Sequence, residues 1–386
     1  MWSQFCKTGF SPGTCSAVQL NGNTGKLQLF DYTTTADIGQ MNNFGAFLRL
    51  PMVTGGRKVI SIGGANTLAN NSVSTQTFQT IFSNQTAFLN SLSSFFKTFN
   101  NNQGTYSITA PAGIDFDFEP PIDASGGQLS PDVNTSKDYQ NLYNLIVATR
   151  STLGADAYIS VTLTSNQDYL KFIQESEAGG WFKQISSYVN AINIMTYDMH
   201  GAWSISSDPG ALSHEMFSQP SLITKTPSIN YGAQDVINTV LGYGATPNKI
   251  QLGIASYGRG FAGVPAGSNT QYPGFDQTWT GVSQFETKYS NQTGLLPYKF
   301  VHALLGANYQ NYNVYDNSNN VIASYIYSPT AQQFVGYVSP ELIDTLCTFE
   351  KNNDLGGAIL WSMDTDASSD GTQGESLVNH YNKVCK

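Results

Sequence analysis

Three carboxylates occupy alternate positions in one short run, Gly113-Ile114-Asp115-Phe116-Asp117-Phe118-Glu119-Pro120-Pro121. In an extended chain successive side chains point to opposite faces, so Ile114, Phe116 and Phe118 form an apolar face and Asp115, Asp117 and Glu119 an acidic one. Neighbouring acids on that face stand about 6.6 Å apart, at about 3.3 Å of rise per residue. Such crowding opposes full ionisation, and a carboxyl that keeps its proton near neutrality is a general acid. Glu119 is the candidate, because it comes last before the prolines end strand pairing. Parallel sheets place their chemistry at that carboxyl end. Taken alone, the run also suits a solvated acidic strand or a calcium site made of carboxylate oxygens.

Other short apolar or β-branched runs supply the rest of a sheet: Lys58 to Ile62, Tyr158 to Leu163, Ala191 to Met195, Ile250 to Ala255 and Gly357 to Trp361. Helical periodicity falls between several of them. One pattern carries Phe78, Ile81, Phe82, Phe88, Leu89, Leu92 and Phe96; a second carries Tyr139, Leu142, Tyr143, Ile146 and Leu153, closed by Gly154; a third carries Val236, Ile237, Val240 and Leu241 before Gly242 and Gly244. This alternation predicts an α/β protein with a parallel sheet, open or closed. The rhythm breaks after Phe261, where a stretch rich in Gly, Tyr and Asn precedes Gly357, far longer than an ordinary connection. Residues 262–340 are expected to form an inserted module containing a hairpin, with Tyr312 to Asp316 and Val321 to Tyr327 flanking Asn317 to Asn320. Residues 1–261 and 341–386 then form the main body.

A chain of 386 residues accommodates one large barrel with an insertion, or two to three smaller domains. With 18 Lys plus Arg and a net charge of -9 there is no basic stripe for a nucleic-acid backbone. Aromatics make up 12%, including 21 Tyr and 22 Phe, a surplus that suits a groove stacking on sugar rings. No apolar run approaches the roughly 20 residues needed to span a bilayer. The four cysteines permit three pairings, of which Cys6 with Cys15 and Cys347 with Cys385 is the most economical, and local staples fit an oxidising compartment. Acceptor sequons at Asn70, Asn84, Asn134 and Asn291 agree. No secretory signal precedes Trp2, so an extracellular protein whose signal is removed or missing is expected. The four His show no ligand spacing, and neither a metal nor a cofactor is expected.

Several segments, in order, make the chain resemble the chitinases of glycoside hydrolase family 18. Ser61-Ile62-Gly63-Gly64 is similar to that family's third-strand S-x-G-G, Gly113 to Glu119 to its D-G-x-D-x-D-x-E, and Met195-Thr196-Tyr197-Asp198 to its sixth-strand M-x-Y-D. Met199-His200-Gly201-Ala202-Trp203 extends that block, Tyr257-Gly258-Arg259-Gly260-Phe261 resembles the end of the seventh strand, and Gly356 to Asp366 resembles the eighth. The resemblance implies a (β/α)8 TIM-type barrel and, in one branch of the family, a small α+β insertion between strands seven and eight. It also implies a monomer acting on chitin or chitooligosaccharides.

By the same resemblance Glu119 protonates the glycosidic oxygen, Asp117 turns between Asp115 and Glu119 to hold the substrate's acetamido N–H, and Tyr197 donates to the acetamido carbonyl. The nucleophile is then the substrate's own N-acetyl oxygen, and configuration is retained. Asp198 joins the polar wall, Met195 packs beneath the acetamido pocket, Trp361 is an aromatic floor, and Ser61 supports Asp115. Tyr257 and Arg259 line the groove, although Arg259 would equally suit a structural ion pair and Trp361 a core position.

Three departures bear on activity. Ala112 stands where the family has the first acid of its motif, and Ala65 stands where many relatives carry Trp. Trp2-Ser3-Gln4-Phe5 is similar only to the tail of the first strand, and Ser16 to Leu20 is a poor second strand, so the start of the barrel is expected to be incomplete. A chitin-binding lectin without turnover is therefore the main alternative to a chitinase, and an endo-acting hydrolase of the N-glycan core a third.

Overall fold

The computed structural model describes residues 18–20, 27–29, 47–64, 73–122, 128–198, 201, 232–275, 277–285, 294–306, 308–316, 318–368 and 370–385. Near the start, β1 (Val18–Leu20) pairs antiparallel with β2 (Leu27–Leu29). The segment expected as a weak second barrel strand thus enters a two-stranded sheet of its own.

The six strands expected from short apolar runs form in the expected places, while Trp2–Phe5 lies outside the described residues. β3 is Val59–Gly63, β4 Gly113–Asp117, β5 Tyr158–Thr164, β6 Ala191–Met195 and β7 Ile250–Ala255, and β14 is Gly357–Trp361. They hydrogen-bond in the order β14-β7-β6-β5-β4-β3. The registers of β3 with β4, β4 with β5 and β7 with β14 are parallel. Sequential parallel neighbours with helices between them are the signature of repeated βα units, consistent with a TIM-type barrel.

The chain divides into two compact units. The first comprises Met1–Pro121, Ser130–Thr162 and Phe172–Ile192. Here the first helical pattern resolves into two helices, α1 (Val73–Ser83) and α2 (Gln85–Tyr106), joined at Asn84. The next helix, α3 (Val133–Leu153), begins where Asp132 accepts hydrogen bonds from the Asn134 and Thr135 amides, and ends at Gly154, as its sequence predicts. The apolar face of β4 packs against these helices. The Phe118 ring lies 4.8 Å from Phe78 and 4.9 Å from Tyr139, both edge-on, while Phe78 is 6.3 Å from Phe116. Ile114 and Phe116 are fully buried.

The second unit comprises Ile122–Leu129, Leu163–Lys171 and Asn193–Lys386. It carries an antiparallel sheet in which β8 (Tyr257–Ala262) lies between β10 (Leu295–Pro297) and β13 (Gln333–Tyr337), followed by β12 (Val321–Ser328) and β11 (Gln310–Tyr315), with β9 (Gly281–Val282) also paired to β8. The expected hairpin is β11–β12. Tyr257–Phe261, expected at the end of the seventh barrel strand, instead lies in β8 of this sheet, because Ser256 interrupts the strand after Ala255. A ladder of stacked rings fills one face, with Tyr325 at 5.0 Å from Tyr312 and 4.4 Å from Phe334. Cys347 and Cys385 form the expected disulfide, with Cα atoms 5.3 Å apart. Cys6 and Cys15 lie outside the described residues.

Phe118 anchors the two-faced strand, so Phe118→Ala should destabilise the fold by about 3–5 kcal/mol, the usual cost of removing a buried ring. Equilibrium denaturant unfolding checks this, with a loss below about 1 kcal/mol as the contrary result.

Candidate functional site

The acidic face of β4 is organised by hydroxyls. Asp115 is buried, and its Oδ2 accepts from Ser61 Oγ at 2.8 Å, while its Oδ1 accepts from Ser160 Oγ at 2.6 Å. Thr162 Oγ1 lies between the two oxygens, at 3.0 Å and 3.1 Å. Ser61 was singled out in the sequence and does reach Asp115. Ser160 and Thr162 were not, because an alternating Ser160-Val161-Thr162 reads as ordinary strand. Only the parallel register, which sets Asp115 opposite Ser160, gives them a partner.

Asp117 closes β4, and Glu119 follows two residues later at its carboxyl end. Both keep part of their surface accessible. The Asp117 carboxyl is nonetheless enclosed by enough protein to be pushed well above the usual carboxylate range, first by burial and then by the negative charges of Glu119 and Asp115. The crowding expected from strand spacing is therefore present, and it falls most clearly on Asp117. Gly63 is essential to this arrangement: its φ is +117°, and a Cβ there would lie 1.9 Å from the Asp117 carbonyl oxygen. Gly64 N–H donates to that same carbonyl at 3.0 Å. The paired glycines of S-x-G-G thus let β3 approach the end of β4.

A second group gathers around the end of β6. Tyr197 is largely buried and packs with Ala255 and Tyr257, with Met195 against the same cluster. The Tyr197 and Tyr257 rings meet edge-on at 6.5 Å. Asp198 has a left-handed backbone, φ 55°, a conformation that Asp tolerates better than most side chains. Its Oδ2 accepts from Tyr257 Oη at 2.7 Å, and its Oδ1 accepts from Arg259 Nε at 2.8 Å. Burial and the Asp198 charge push the Tyr257 hydroxyl well above its ordinary value. Burial alone would lower the Arg259 guanidinium, but attraction and hydrogen bonding to Asp198 outweigh it and raise it. Asp198, Tyr257 and Arg259 are therefore brought together as one hydrogen-bonded unit, with Asp198 as the ion-pair partner of Arg259.

Trp361 ends β14 with 41% of its surface exposed, and its carbonyl accepts from the Ser256 amide at 2.9 Å. A core tryptophan would be covered, so its position fits an available aromatic face. Gly253, which no motif reading selected, matters as well: a Cβ there would lie 2.8 Å from the Tyr197 ring. Met199, His200, Ala202, Trp203 and Ala65 lie outside the described residues. Among the described residues no cluster of His, Cys, Asp and Glu could hold a metal ion, and no helix is long and apolar enough to cross a membrane.

Comparison with known proteins places these motifs in a family. The chain is 30% identical over 264 residues to chitinase A1 of Niallia circulans, an alignment covering 66% of this chain and 34% of that protein. The chain spans about a third to a half of the length of the curated relatives it matches first. In fold it is similar to catalytic domain 2 of a Group II chitinase from Ostrinia furnacalis, at TM-score 0.67 and 17% identity, covering 97% of this chain and 90% of that one. It is also similar to a chitinase-like agglutinin from Robinia pseudoacacia, at TM-score 0.65 and 17% identity, covering 96% and 92%. The profile of glycosyl hydrolases family 18 matches residues 14–366, and with its acidic strand, its S-x-G-G glycines and its tyrosine-aspartate pair the chain belongs to that family.

Proposed function

We propose that the protein is a retaining chitinase that hydrolyses β-1,4 bonds between N-acetylglucosamine units, with Glu119 as general acid. The observation that carries this reading is the row of acids at the end of β4, where burial and then the charges of Glu119 and Asp115 raise the Asp117 carboxyl beside Glu119. Family membership and chitinase relatives support the reaction class. In the proposed sequence Glu119 donates its proton to the leaving oxygen as the substrate's acetamido oxygen attacks the anomeric carbon, giving an oxazolinium ion. Water then opens the ion, with Glu119 returning as base, and no second carboxylate acts as nucleophile. Tethering of the acetamide to the sugar removes the translational cost of that attack.

Asp117 holds the acetamido N–H and Tyr197 its carbonyl, while Asp198, with Tyr257 and Arg259, forms the polar wall. Met195 packs beneath the pocket, Trp361 offers its face to the sugar, and Ser61 steadies Asp115. The six parallel strands belong to an eight-stranded β/α barrel, interrupted after Ala255 by an α+β insertion, made of β8 and residues 262–340, that walls one side of the groove. Secretion and a monomeric state accompany this reading, and a secreted chitinase of Penicillium expansum among the relatives supports an extracellular setting.

The agglutinin among its structural relatives favours one competing reading, a chitin-binding lectin. Ala112 favours it too; the intact Asp115, Asp117, Glu119 and Tyr197 favour turnover.

Glu119→Gln should lower kcat on a fluorogenic chitobioside by about 10²-fold or more while oligosaccharide binding persists. Undiminished turnover would remove Glu119 from the reaction, and absence of turnover in the unsubstituted protein together with tight binding would establish the lectin.

A second outcome follows from the elevated Asp117 carboxyl. The folded state binds its proton more tightly than the unfolded chain, so Asp117 costs no stability at low pH and an increasing amount as pH rises from the ordinary carboxylate value of 3.8 towards its raised value. Asp117→Asn should therefore raise Tm relative to the parent at pH 7 and much less at pH 3. Because it removes negative charge beside Glu119, the same change should move the basic limb of residual activity to lower pH. Equal Tm differences at both pH values would refute the coupling.

A further inference from the structure

We infer that Thr196 is a positioning residue for the reaction: its hydroxyl clips β6 to β7 so that the Tyr197 ring is held against Gly253. This rests on the role given to Tyr197 above. Strand β6 ends at Met195, and the Thr196 N–H turns back to donate to the Ile194 carbonyl at 2.8 Å. That tight turn withdraws the backbone from the ladder just where Gly253 of β7 still presents both of its polar groups. The Thr196 side chain takes the missing strand's place, since Oγ1 donates to the Gly253 carbonyl at 2.9 Å and accepts from the Gly253 N–H at 2.7 Å. Thr196 is fully buried, so no water can stand in for this hydroxyl without displacing side chains.

The consequence falls on the next residue. With Thr196 locked, the Tyr197 ring lies over the bare α-carbon of residue 253, where an added Cβ would come within 2.8 Å of Cδ1 and Cε1 and also of the Thr196 amide nitrogen. On its other side Tyr197 is followed by left-handed Asp198, which Tyr257 and Arg259 hold by its two carboxylate oxygens. The ring is thus constrained through both flanking residues and from below. A hydroxyl meant to meet an acetamido oxygen only as charge develops needs that kind of fixed orientation.

The test is a double-mutant cycle with Thr196→Val, which keeps the shape and removes the hydroxyl, and Tyr197→Phe, with Thr196→Ser as the variant that restores the clip. Thr196→Val should lower kcat by about 10- to 100-fold with KM nearly unchanged, Thr196→Ser should recover most of it, and Thr196→Val should cost little more once Tyr197→Phe is present. Affinity for a thiazoline mimic of the oxazolinium ion should fall in parallel with kcat. Full additivity of the two losses, or loss of Tm with unchanged kcat, would overturn the positioning role. If Tyr197→Phe alone leaves kcat intact, the role of Tyr197 fails instead. Should Thr196→Val not fold, failure of Thr196→Ser to retain kcat in a folded protein would overturn the inference by itself.

Discussion

Like-charge crowding at the end of one strand is the constraint around which the first unit is organised. Three acids at two-residue spacing cannot all ionise freely, and the fold absorbs the conflict unevenly. Asp115 receives hydroxyls from Ser61, Ser160 and Thr162, and the Asp117 carboxyl is pushed well above the usual range by burial and two neighbouring charges. The strand tolerates this because its opposite face is anchored in an aromatic cluster built from Phe78, Phe116, Phe118 and Tyr139. Apolar burial on one face holds in place an electrostatic arrangement on the other that costs stability.

The second unit handles a polar site differently. Around Asp198 charge is neutralised rather than crowded, since a guanidinium and a phenol saturate its carboxylate at hydrogen-bond distance. Tyr257 therefore serves as a donor, its ionisation further suppressed by the acid that it contacts. One unit thus raises a carboxyl by burial and neighbouring charge, and the other ties a carboxylate to fixed donors.

Glycines enable close backbone approach in both places. Gly63 adopts a positive φ and admits the Asp117 carbonyl, while Gly253 admits an aromatic ring. A single methyl group at either position would displace its neighbour, the Asp117 backbone in one case and the Tyr197 ring in the other. Motif matching detects the first because it sits inside S-x-G-G; the second lies in a strand whose sequence, Ile250 to Ala255, looks like ordinary apolar core.

Much was legible in the chain alone, and for identifiable reasons. The six parallel strands announced themselves by short apolar runs between helical patterns, the acidic strand by its period of two, and the Cys347–Cys385 bond by economy of pairing. These are local properties, set by side-chain alternation and propensity. Tertiary structure alone decided what depends on register: that Ser160 and Thr162 meet Asp115, that Arg259 pairs with Asp198, and that Thr196 faces Gly253. It also moved Tyr257–Phe261 into the antiparallel sheet and paired Val18–Leu20 with Leu27–Leu29. A sequence specifies which residues want burial or partners, but partners tens of residues away are chosen only when strands align, because hydrogen bonds reward a particular juxtaposition and not a residue type.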